Sequence, residues 1–186
     1  MNPKIQILTK NAYNYFYFQV LNSVEICNNF DCGLSEYNDY LLHDALRSKN
    51  DHIAFTWLLK ERSTDKVVAY MSLIMDAIKL SFSEKELHNL NYPFKTIPSL
   101  KIAKLAVNKI FSKKYKGIGS FLINSAERIT WACNNEYCAA RFLTVDADIE
   151  HDEGVFAFYQ KNGFISNTEL YNKNRKTISM RKDIYQ

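Results

Sequence analysis

Residues 113–120 (KKYKGIGS) have the clearest capacity for chemistry, because lysines precede two closely spaced glycines. The segment follows a predicted strand and opens a predicted helix. Backbone N–H groups at the start of a helix lack intrahelical partners and carry partial positive charge, so phosphate oxygens bind there readily. Glycines let the backbone approach an anion closely, and lysines add attraction. The segment predicts a site for a pyrophosphate-bearing ligand, although taken alone it also fits a tight strand-to-helix turn with solvated lysines.

Two other phosphate-binding patterns do not fit this segment. A P-loop requires Gly-Lys-Ser or Gly-Lys-Thr at a fixed spacing, and no such triplet follows. A dinucleotide-binding fingerprint requires a third glycine and an early acidic residue, and both are missing. The glycines therefore predict phosphate binding without identifying the ligand.

The elements that would position this segment alternate along the chain. Apolar, β-rich runs predict strands at residues 15–20, 53–60, 67–74, 100–107, 142–147 and 177–181. Helical periodicity predicts helices at residues 35–49, 83–90, 117–133 and 152–162, with Ser35 and Asp152 as N-caps and Gly163 beyond the last helix. Residues 62–66 predict a hairpin turn, and the two prolines in residues 92–98 predict a loop. This order predicts a single α/β or α+β domain over residues 1–186 with a sheet of mixed strand direction.

The predicted strand at residues 100–107 has an uneven pattern. Leu100 and Ile102 share one face, while Leu105 and Val107 share the other. Either a β-bulge near residues 103 and 104 restores the facing of the apolar side chains, or the strand is buried on both faces and needs no alternation.

Composition narrows the class of protein. With 47% hydrophobic residues the chain can bury one sizeable core. No apolar run approaches the roughly 18 to 20 residues of a membrane span, so we expect a cytoplasmic protein. The cysteines form two pairs, Cys27 with Cys32 and Cys133 with Cys138, at a spacing wider than structural zinc usually uses. We expect reduced thiols and no metal site.

Three short motifs follow one another along the chain: LAV at residues 105–107, KYKGIG at residues 114–119 and FYQKNGF at residues 158–164. In this order they resemble the acyl-CoA-binding core of the GNAT superfamily of N-acyltransferases, a resemblance that extends from Phe30 to Phe164. It implies a central mixed β-sheet flanked by helices, with a bulged strand at residues 100–107 that splays away from the strand at residues 142–147. It also implies an enzyme that moves an acetyl group from acetyl-CoA to a primary amine.

The resemblance assigns roles to individual residues. The pantetheine arm and the pyrophosphate of acetyl-CoA would bind mainly backbone groups of Leu105, Ala106, Val107, Lys114, Tyr115, Lys116, Gly117, Ile118, Gly119 and Ser120. Tyr159 would be the catalytic proton donor to the departing thiolate, although it also fits an aromatic residue packed on one helical face with Val155 and Phe158. Lys114 departs from the Gln or Arg usual at its position, and Asp152 departs from a usual Asn. Asp31, Glu36 and Asp76 are candidate general bases, and a water-mediated route needs none of them.

A second motif narrows the branch. Residues 30–33 (FDCG), followed by Glu36, Asp39, Tyr40 and Leu41, are similar to the opening of a GNAT branch that includes toxins acetylating aminoacyl-tRNA. Such toxins tend to be clearly basic, whereas this chain has 24 basic against 20 acidic residues. We therefore expect an unidentified protein or small-molecule amine as acceptor, with aminoacyl-tRNA as an alternative.

Two further expectations concern partners. RNA binding would draw on basic residues such as Arg47, Lys101, Lys104, Lys109 and Lys113. The fold could instead serve as a non-catalytic acyl-CoA-binding regulatory module. The 14% aromatic content is compatible with a self-association surface, and hence with a homodimer.

Overall fold

The computed structural model describes residues 4–7, 9–152, 154–167 and 176–186. It has two compact units: Met1–Ile74 with Ala103–Ser125, and Met75–Ile102 with Ala126–Gln186. We call them the first and the second unit. The single domain expected over residues 1–186 stays a prediction. No described helix is long and apolar enough to cross a membrane.

The chain alternates helices and strands. The helices are α1 (Thr9–Tyr15), α2 (Ser35–Asp39), α3 (Ala45–Asn50), α4 (Phe82–Leu87), α5 (Lys109–Lys114), α6 (Ile118–Glu136) and α7 (Gly154–Lys161). The strands are β1 (Ile5–Gln6), β2 (Phe16–Val20), β3 (Phe55–Glu61), β4 (Val67–Lys79), β5 (Thr96–Val107), β6 (Tyr115–Lys116), β7 (Phe142–Asp148), β8 (Ile165–Ser166) and β9 (Thr177–Asp183). β4, β5 and α6 each pass from one unit into the other along the chain.

The first unit packs helices against antiparallel strands. β2 pairs with β3 and β3 with β4, both antiparallel. A π-helix, Tyr40–Asp44, joins α2 to α3. The buried Tyr70 holds the preceding helix α2, since its hydroxyl donates to the Tyr37 carbonyl at 2.8 Å. Leu41, Leu58, Tyr70 and Ala106 belong to the buried core of this unit.

The second unit contains parallel and antiparallel pairs. β5 and β7 pair in parallel over Ser99–Ile102 and Phe142–Val145. β9 pairs antiparallel with both β7 and β8. Together the strands of the two units have the order β2-β3-β4-β5-β7-β9-β8 in a seven-stranded mixed sheet, and β1 and β6 form a separate parallel pair.

The burial of β5 tests one of the two interpretations of its pattern, and the β-bulge stays a prediction. Leu100, Ile102 and Ala106 are buried. The residues only half-buried in this stretch are Ala103, Lys104, Leu105 and Val107. The last part of β5 is therefore not buried on both faces. Leu105 and Val107 are partly accessible to solvent in this stretch.

Several sequence predictions need correction. Ser35 is the first residue of α2 and not its N-cap, because Leu34 holds the cap position without a side-chain hydrogen bond. Residues 96–98 belong to β5 although Pro98 lacks an N–H donor. The sequence pattern also missed α1 and α5, because both are helices of seven or fewer residues that are too short to establish a period.

Candidate active site

The predicted phosphate segment has its own short elements in the first unit. α5 starts beside Asn108, whose side chain accepts a hydrogen bond from the Ile110 N–H at 3.0 Å. β6 follows at once and pairs in parallel with β1, so that Tyr115 and Lys116 lie beside Ile5 and Gln6. The segment is therefore held between a helix and the N-terminal strand before α6 begins.

Gly117 is required by the close approach of β1. Its φ is +98°, and a Cβ atom there would lie 2.6 Å from the Ile7 carbonyl oxygen. The Ile7 N–H donates to the Lys116 carbonyl at 2.7 Å, which fixes this approach. Only glycine tolerates both the left-handed backbone and the steric limit.

The start of α6 presents unpaired N–H groups. Its first hydrogen bond runs from the Phe121 N–H to the Gly117 carbonyl at 3.0 Å. The N–H groups of Ile118, Gly119 and Ser120 precede the helical ladder and have no partner within it. Gly119 and Ser120 are half-buried, whereas the Ile118 side chain is buried. This end of α6 thus has the chemistry of an anion site.

A buried carboxylate that the sequence analysis missed organises the same segment. Glu61, at the end of β3, accepts hydrogen bonds from the Lys114 ammonium at 2.7 Å, the Tyr115 hydroxyl at 2.6 Å and the Thr64 hydroxyl at 2.7 Å. Burial alone would raise the pKa of Glu61, but these hydrogen bonds outweigh it and lower the pKa to about 2. The only sequence feature that could have indicated this buried carboxylate is the position of a charged residue at the end of the apolar run 55–61.

The Glu61 contact changes the interpretation of Lys114. Its ammonium forms an ion pair with the carboxylate, and Glu61 raises the pKa of Lys114. Glu61 and Lys114 also line a cavity of about 370 Å³ together with Asn108 and Phe111. The positive charge of Lys114 is therefore balanced within the protein. Its participation in phosphate binding stays a prediction, and the exposed Lys116 is the nearer charge to α6.

Residues 105–107 lie beyond the part of β5 that pairs with β7. The strand is anchored in the first unit by the Asn108 N–H, which donates to the Val68 carbonyl at 2.8 Å. Immediately before this stretch, Lys104 forms an ion pair with Glu36 and lies 4.5 Å from the centre of the Tyr37 ring. The predicted pantetheine-binding backbone therefore adjoins a charged and aromatic wall built by α2.

Tyr159 lies in the second unit, on α7. Its side chain is 6% exposed, and its ring packs edge-to-face against Phe158 at 5.1 Å and Phe164 at 5.3 Å. The helix ends as predicted, with Gly163 at a φ of +87°. The aromatic-packing interpretation of Tyr159 is thus correct as far as the ring is concerned, and its role as proton donor stays a prediction.

Asp152 supports the start of α7. Its carboxylate accepts from the Gly154 N–H at 2.8 Å, and its carbonyl accepts from the Val155 N–H at 3.1 Å. Asp152 lies two residues before the first residue of α7, so its assignment as N-cap stays a prediction.

Each candidate general base already has a partner. Asp31 accepts from the Gly33 N–H at 2.7 Å and pairs with Lys109, whose hydrogen bond is the main cause of a lowered pKa of Asp31. Glu36 pairs with Lys104. Asp76 accepts from the Thr144 hydroxyl at 3.1 Å. A carboxylate with a lowered pKa is a weak base, which argues against Asp31 as the general base.

Most of the basic residues considered for RNA binding are ion-paired. Arg47 pairs with Asp51, Lys101 with Asp146, Lys104 with Glu36 and Lys109 with Asp31. Lys113 is exposed and belongs to none of these pairs. The pairs lower the net positive charge that this set offers to a phosphate backbone.

Comparisons with known proteins identify the fold. No protein-family model and no curated protein sequence matches the chain. Among solved structures, a tyrosine-to-phenylalanine variant of KacT matches with a TM-score of 0.71 and 21% identity, over 90% of this chain and 95% of that chain. AtaT complexed with acetyl-methionyl-tRNAfMet matches with a TM-score of 0.69 and 22% identity, over 88% and 93% of the two chains. AtaTR bound with acetyl-CoA matches with a TM-score of 0.68 and 22% identity, over 90% and 94%.

These similarities cover nearly the whole of each chain. The fold is therefore the GNAT-type α/β fold that the three motifs predicted, a mixed sheet flanked by helices.

Proposed function

We propose that this chain is an acetyl-CoA-dependent N-acetyltransferase whose acceptor is the amino group of an aminoacyl-tRNA. The observation that carries the proposal is the start of α6, with its unpaired N–H groups behind Gly117, on a fold shared with AtaTR bound to acetyl-CoA. The choice of acceptor rests on AtaT complexed with acetyl-methionyl-tRNAfMet. This similarity supports the tRNA alternative better than the protein or small-molecule amine expected from the moderate net charge.

The residues of the first unit fit the anionic part of acetyl-CoA. The N–H groups of Ile118, Gly119 and Ser120 would hold pyrophosphate oxygens, with Lys116 adding positive charge. The backbone of residues 105–107, where Leu105 and Val107 are half-buried, would bind the amide groups of the pantetheine arm. Because these contacts use backbone atoms, they do not require a particular side chain at most positions.

The proposed reaction needs three actions from the protein. Acetyl-CoA supplies the acetyl group as a thioester, which the neutral amine attacks at the carbonyl carbon. A backbone N–H at Val107 or beside it would donate to the carbonyl oxygen as negative charge develops there. Tyr159 would donate its phenolic proton to the sulfur as the carbon–sulfur bond breaks and would recover a proton from solvent. The amine loses its extra proton to a general base or to water.

A non-catalytic acyl-CoA-binding module remains the second candidate function. This function predicts that the protein binds acetyl-CoA without turning it over. It also predicts that Tyr159→Phe does not change acetyl-CoA affinity. The ion pairs of Lys101, Lys104 and Lys109 with acidic neighbours favour this candidate over an RNA-acting enzyme, because they reduce the charge available for tRNA.

The test is acetyl transfer from labelled acetyl-CoA to methionyl-tRNA, with uncharged tRNA, lysine-containing peptides and polyamines in parallel. We expect label on charged tRNA only, and loss of this label after mild alkaline deacylation. Label on a peptide or polyamine instead would support the proposed acetyltransferase activity. It would contradict aminoacyl-tRNA as the acceptor. Binding of acetyl-CoA without label on any acceptor would favour the regulatory module.

A further inference from the structure

Two cysteines meet at the end of α6 in the second unit. The Cys133 carbonyl accepts hydrogen bonds from the Tyr137 N–H at 2.8 Å and from the Cys138 N–H at 2.9 Å. The second bond joins residues five apart, so the chain turns back on the last helical turn. It brings the Cys138 backbone to the Cys133 carbonyl. A disulfide requires the two Cα atoms to lie roughly 4.4 to 6.8 Å apart.

The two thiols interact and differ in exposure. Burial raises the pKa of the Cys133 thiol, and the neighbouring Cys138 thiol raises it further. Cys138 is exposed, whereas Cys133 is half-buried. An oxidant would therefore reach Cys138 first, with Cys133 beside it as the second thiol.

We propose that Cys133 and Cys138 are a modification site, a dithiol that a peroxide converts to an intramolecular disulfide. The proposal does not depend on the proposed acetyltransferase activity. Of the two cysteine pairs, only this one has the backbone contact that closes the turn.

The other pair, Cys27 and Cys32, has the same spacing and different surroundings. Cys27 is fully buried, and burial raises the pKa of its thiol to about 11. The Cys32 N–H donates to the Asn38 side chain at 3.0 Å, and its thiol contacts the same Asn38 oxygen at 3.2 Å. Both groups of Cys32 thus contact Asn38. This pair is a matched internal control for the same residue type and spacing.

The chemistry balances in two steps. The Cys138 thiolate attacks one peroxide oxygen, an S–O bond forms, the O–O bond breaks and hydroxide leaves. Sulfur is oxidised by two electrons, and the peroxide is reduced. The Cys133 thiolate then attacks the Cys138 sulfur, an S–S bond forms, the S–O bond breaks and a second hydroxide leaves. The raised pKa of Cys133 makes this second step slow at neutral pH and faster in mild alkali.

Hydrogen bonds hold the chain that follows Cys138 against the end of α6. The Asn134 side chain already holds the returning chain, since its amide donates to the Ala140 carbonyl at 2.9 Å and its oxygen accepts from the Ala140 N–H at 2.7 Å. Ala139, Ala140 and Arg141 continue from Cys138 along the wall of a cavity of about 360 Å³. A disulfide would add a covalent link where the turn is already held by hydrogen bonds.

The experiment uses the reduced full chain treated with hydrogen peroxide, then alkylated and digested with trypsin without reduction. Cys133 and Cys138 fall in one tryptic peptide, residues 129–141, and Cys27 and Cys32 in another, residues 11–47. We expect the first peptide to lose the mass of two hydrogens and take no alkyl group, while the second keeps two alkylated cysteines. The rate should rise on the order of tenfold per pH unit below the thiol pKa.

Three results would overturn the proposal. They are alkylation of both cysteines in residues 129–141 after treatment, sulfinic or sulfonic acid on Cys138 without a disulfide, and disulfide-linked dimers on a non-reducing gel. Cys133→Ser supplies a second measurement, because Cys138 should then stop at a sulfenic acid that dimedone traps. The wild-type peptide map keeps the test valid if this variant does not fold.

Discussion

The ammonium of Lys114 lies 2.7 Å from a carboxylate oxygen of Glu61, whose side chain is only 3% exposed. The same oxygen accepts the Tyr115 hydroxyl, so one carboxylate holds two consecutive residues of the segment that leads to Gly117. A strand of the first unit thereby fixes the segment for which we propose pyrophosphate binding.

Glu61→Gln and Lys114→Met should each weaken this contact. We expect either change to lower the free energy of unfolding by about 1 to 3 kcal/mol, since a buried polar group loses its charged partner. In the double variant the two losses should couple by roughly 1 kcal/mol, a modest value because Lys114 is half-exposed. Urea unfolding measures the free energy of unfolding of the two single variants and the double variant. Lys113→Met, at the exposed neighbouring lysine, is the control and should change stability by less than about 0.5 kcal/mol. Purely additive losses would contradict the direct pairing.

Acid should remove the Glu61 contribution in a defined interval. The pKa of Glu61 is about 2 in the folded chain against a reference value of 4.5. A lowered pKa in the folded state gives stability that is complete above the unfolded pKa and is lost as pH falls through the folded pKa. Between these two values the wild type should lose about 2 to 3 kcal/mol more than Glu61→Gln. Unfolding by urea at a series of pH values measures the difference, and parallel curves for the two proteins would refute it.

Gly117 and Gly33 allow a matched test of the β1 contact. Both have positive φ, but a Cβ at Gly33 would meet nothing within 4 Å, whereas at Gly117 it would lie 2.6 Å from the Ile7 carbonyl oxygen. Gly33→Ala should cost about 1 to 2 kcal/mol for the left-handed backbone alone. Gly117→Ala should cost about 1 to 3 kcal/mol more, because the backbone must move. If both variants lost the same free energy of unfolding in denaturant, the chain after β1 would be able to move away from residue 117 at no cost.

The same pair of variants tests the proposed cofactor site. Excess acetyl-CoA at about 100 times its dissociation constant should stabilise the wild type by roughly 2.7 kcal/mol. Gly33→Ala should keep this shift in thermal unfolding, and Gly117→Ala should lose most of it. A full shift in Gly117→Ala would show that the end of α6 does not hold the ligand.

The main motifs could be interpreted from sequence because each is local. The apolar period after Gly117 predicted α6, and the glycine after residue 162 predicted the end of α7. The GNAT-type fold followed from three motifs in order and is confirmed by structural similarity. The contacts around Gly117 were not predictable, because Ile7 lies far away in the chain and directly follows a strand of only two residues, β1.

Glu61 shows why a motif alone cannot assign the group with which a lysine ammonium pairs. The family pattern suggested that Lys114 supplies positive charge to phosphate, yet its partner is 53 residues earlier in the chain. A long-range ion pair has no periodic signature in sequence. The hydrogen bond of Tyr70 on β4 to the Tyr37 carbonyl in α2 is likewise a long-range contact that the sequence pattern does not show.

Tyr159→Phe separates the catalytic from the packing role of Tyr159. The phenylalanine ring keeps the edge-to-face contacts with Phe158 and Phe164, so we expect stability to fall by less than about 1.5 kcal/mol. If the hydroxyl is the proton donor, kcat should fall about 10²-fold or more while acetyl-CoA affinity stays unchanged. Steady-state kinetics and calorimetric titration measure the two quantities. Phe158→Leu, which alters packing only, is the control. An unchanged kcat in Tyr159→Phe would assign the proton transfer elsewhere.

His88 should make the second unit sensitive to weak acid. Its ring is 3% exposed; Nδ1 donates to Asp183 at 2.8 Å and Nε2 accepts from the Arg181 guanidinium at 3.2 Å. This arrangement requires neutral histidine, and burial is the main cause of a lowered pKa of His88, helped by Arg181 and Arg141 and opposed by Asp183. A lowered pKa in the folded state means that stability is complete above the unfolded value of 6.5 and is lost as pH falls through the folded pKa.

His88→Gln can still donate and accept hydrogen bonds but cannot gain a proton, so its stability should stay flat over the pH interval in which the stability of the wild type declines. Denaturant unfolding from neutral to mildly acidic pH measures both proteins. A decline of equal slope in His88→Gln would place the sensitivity outside this network.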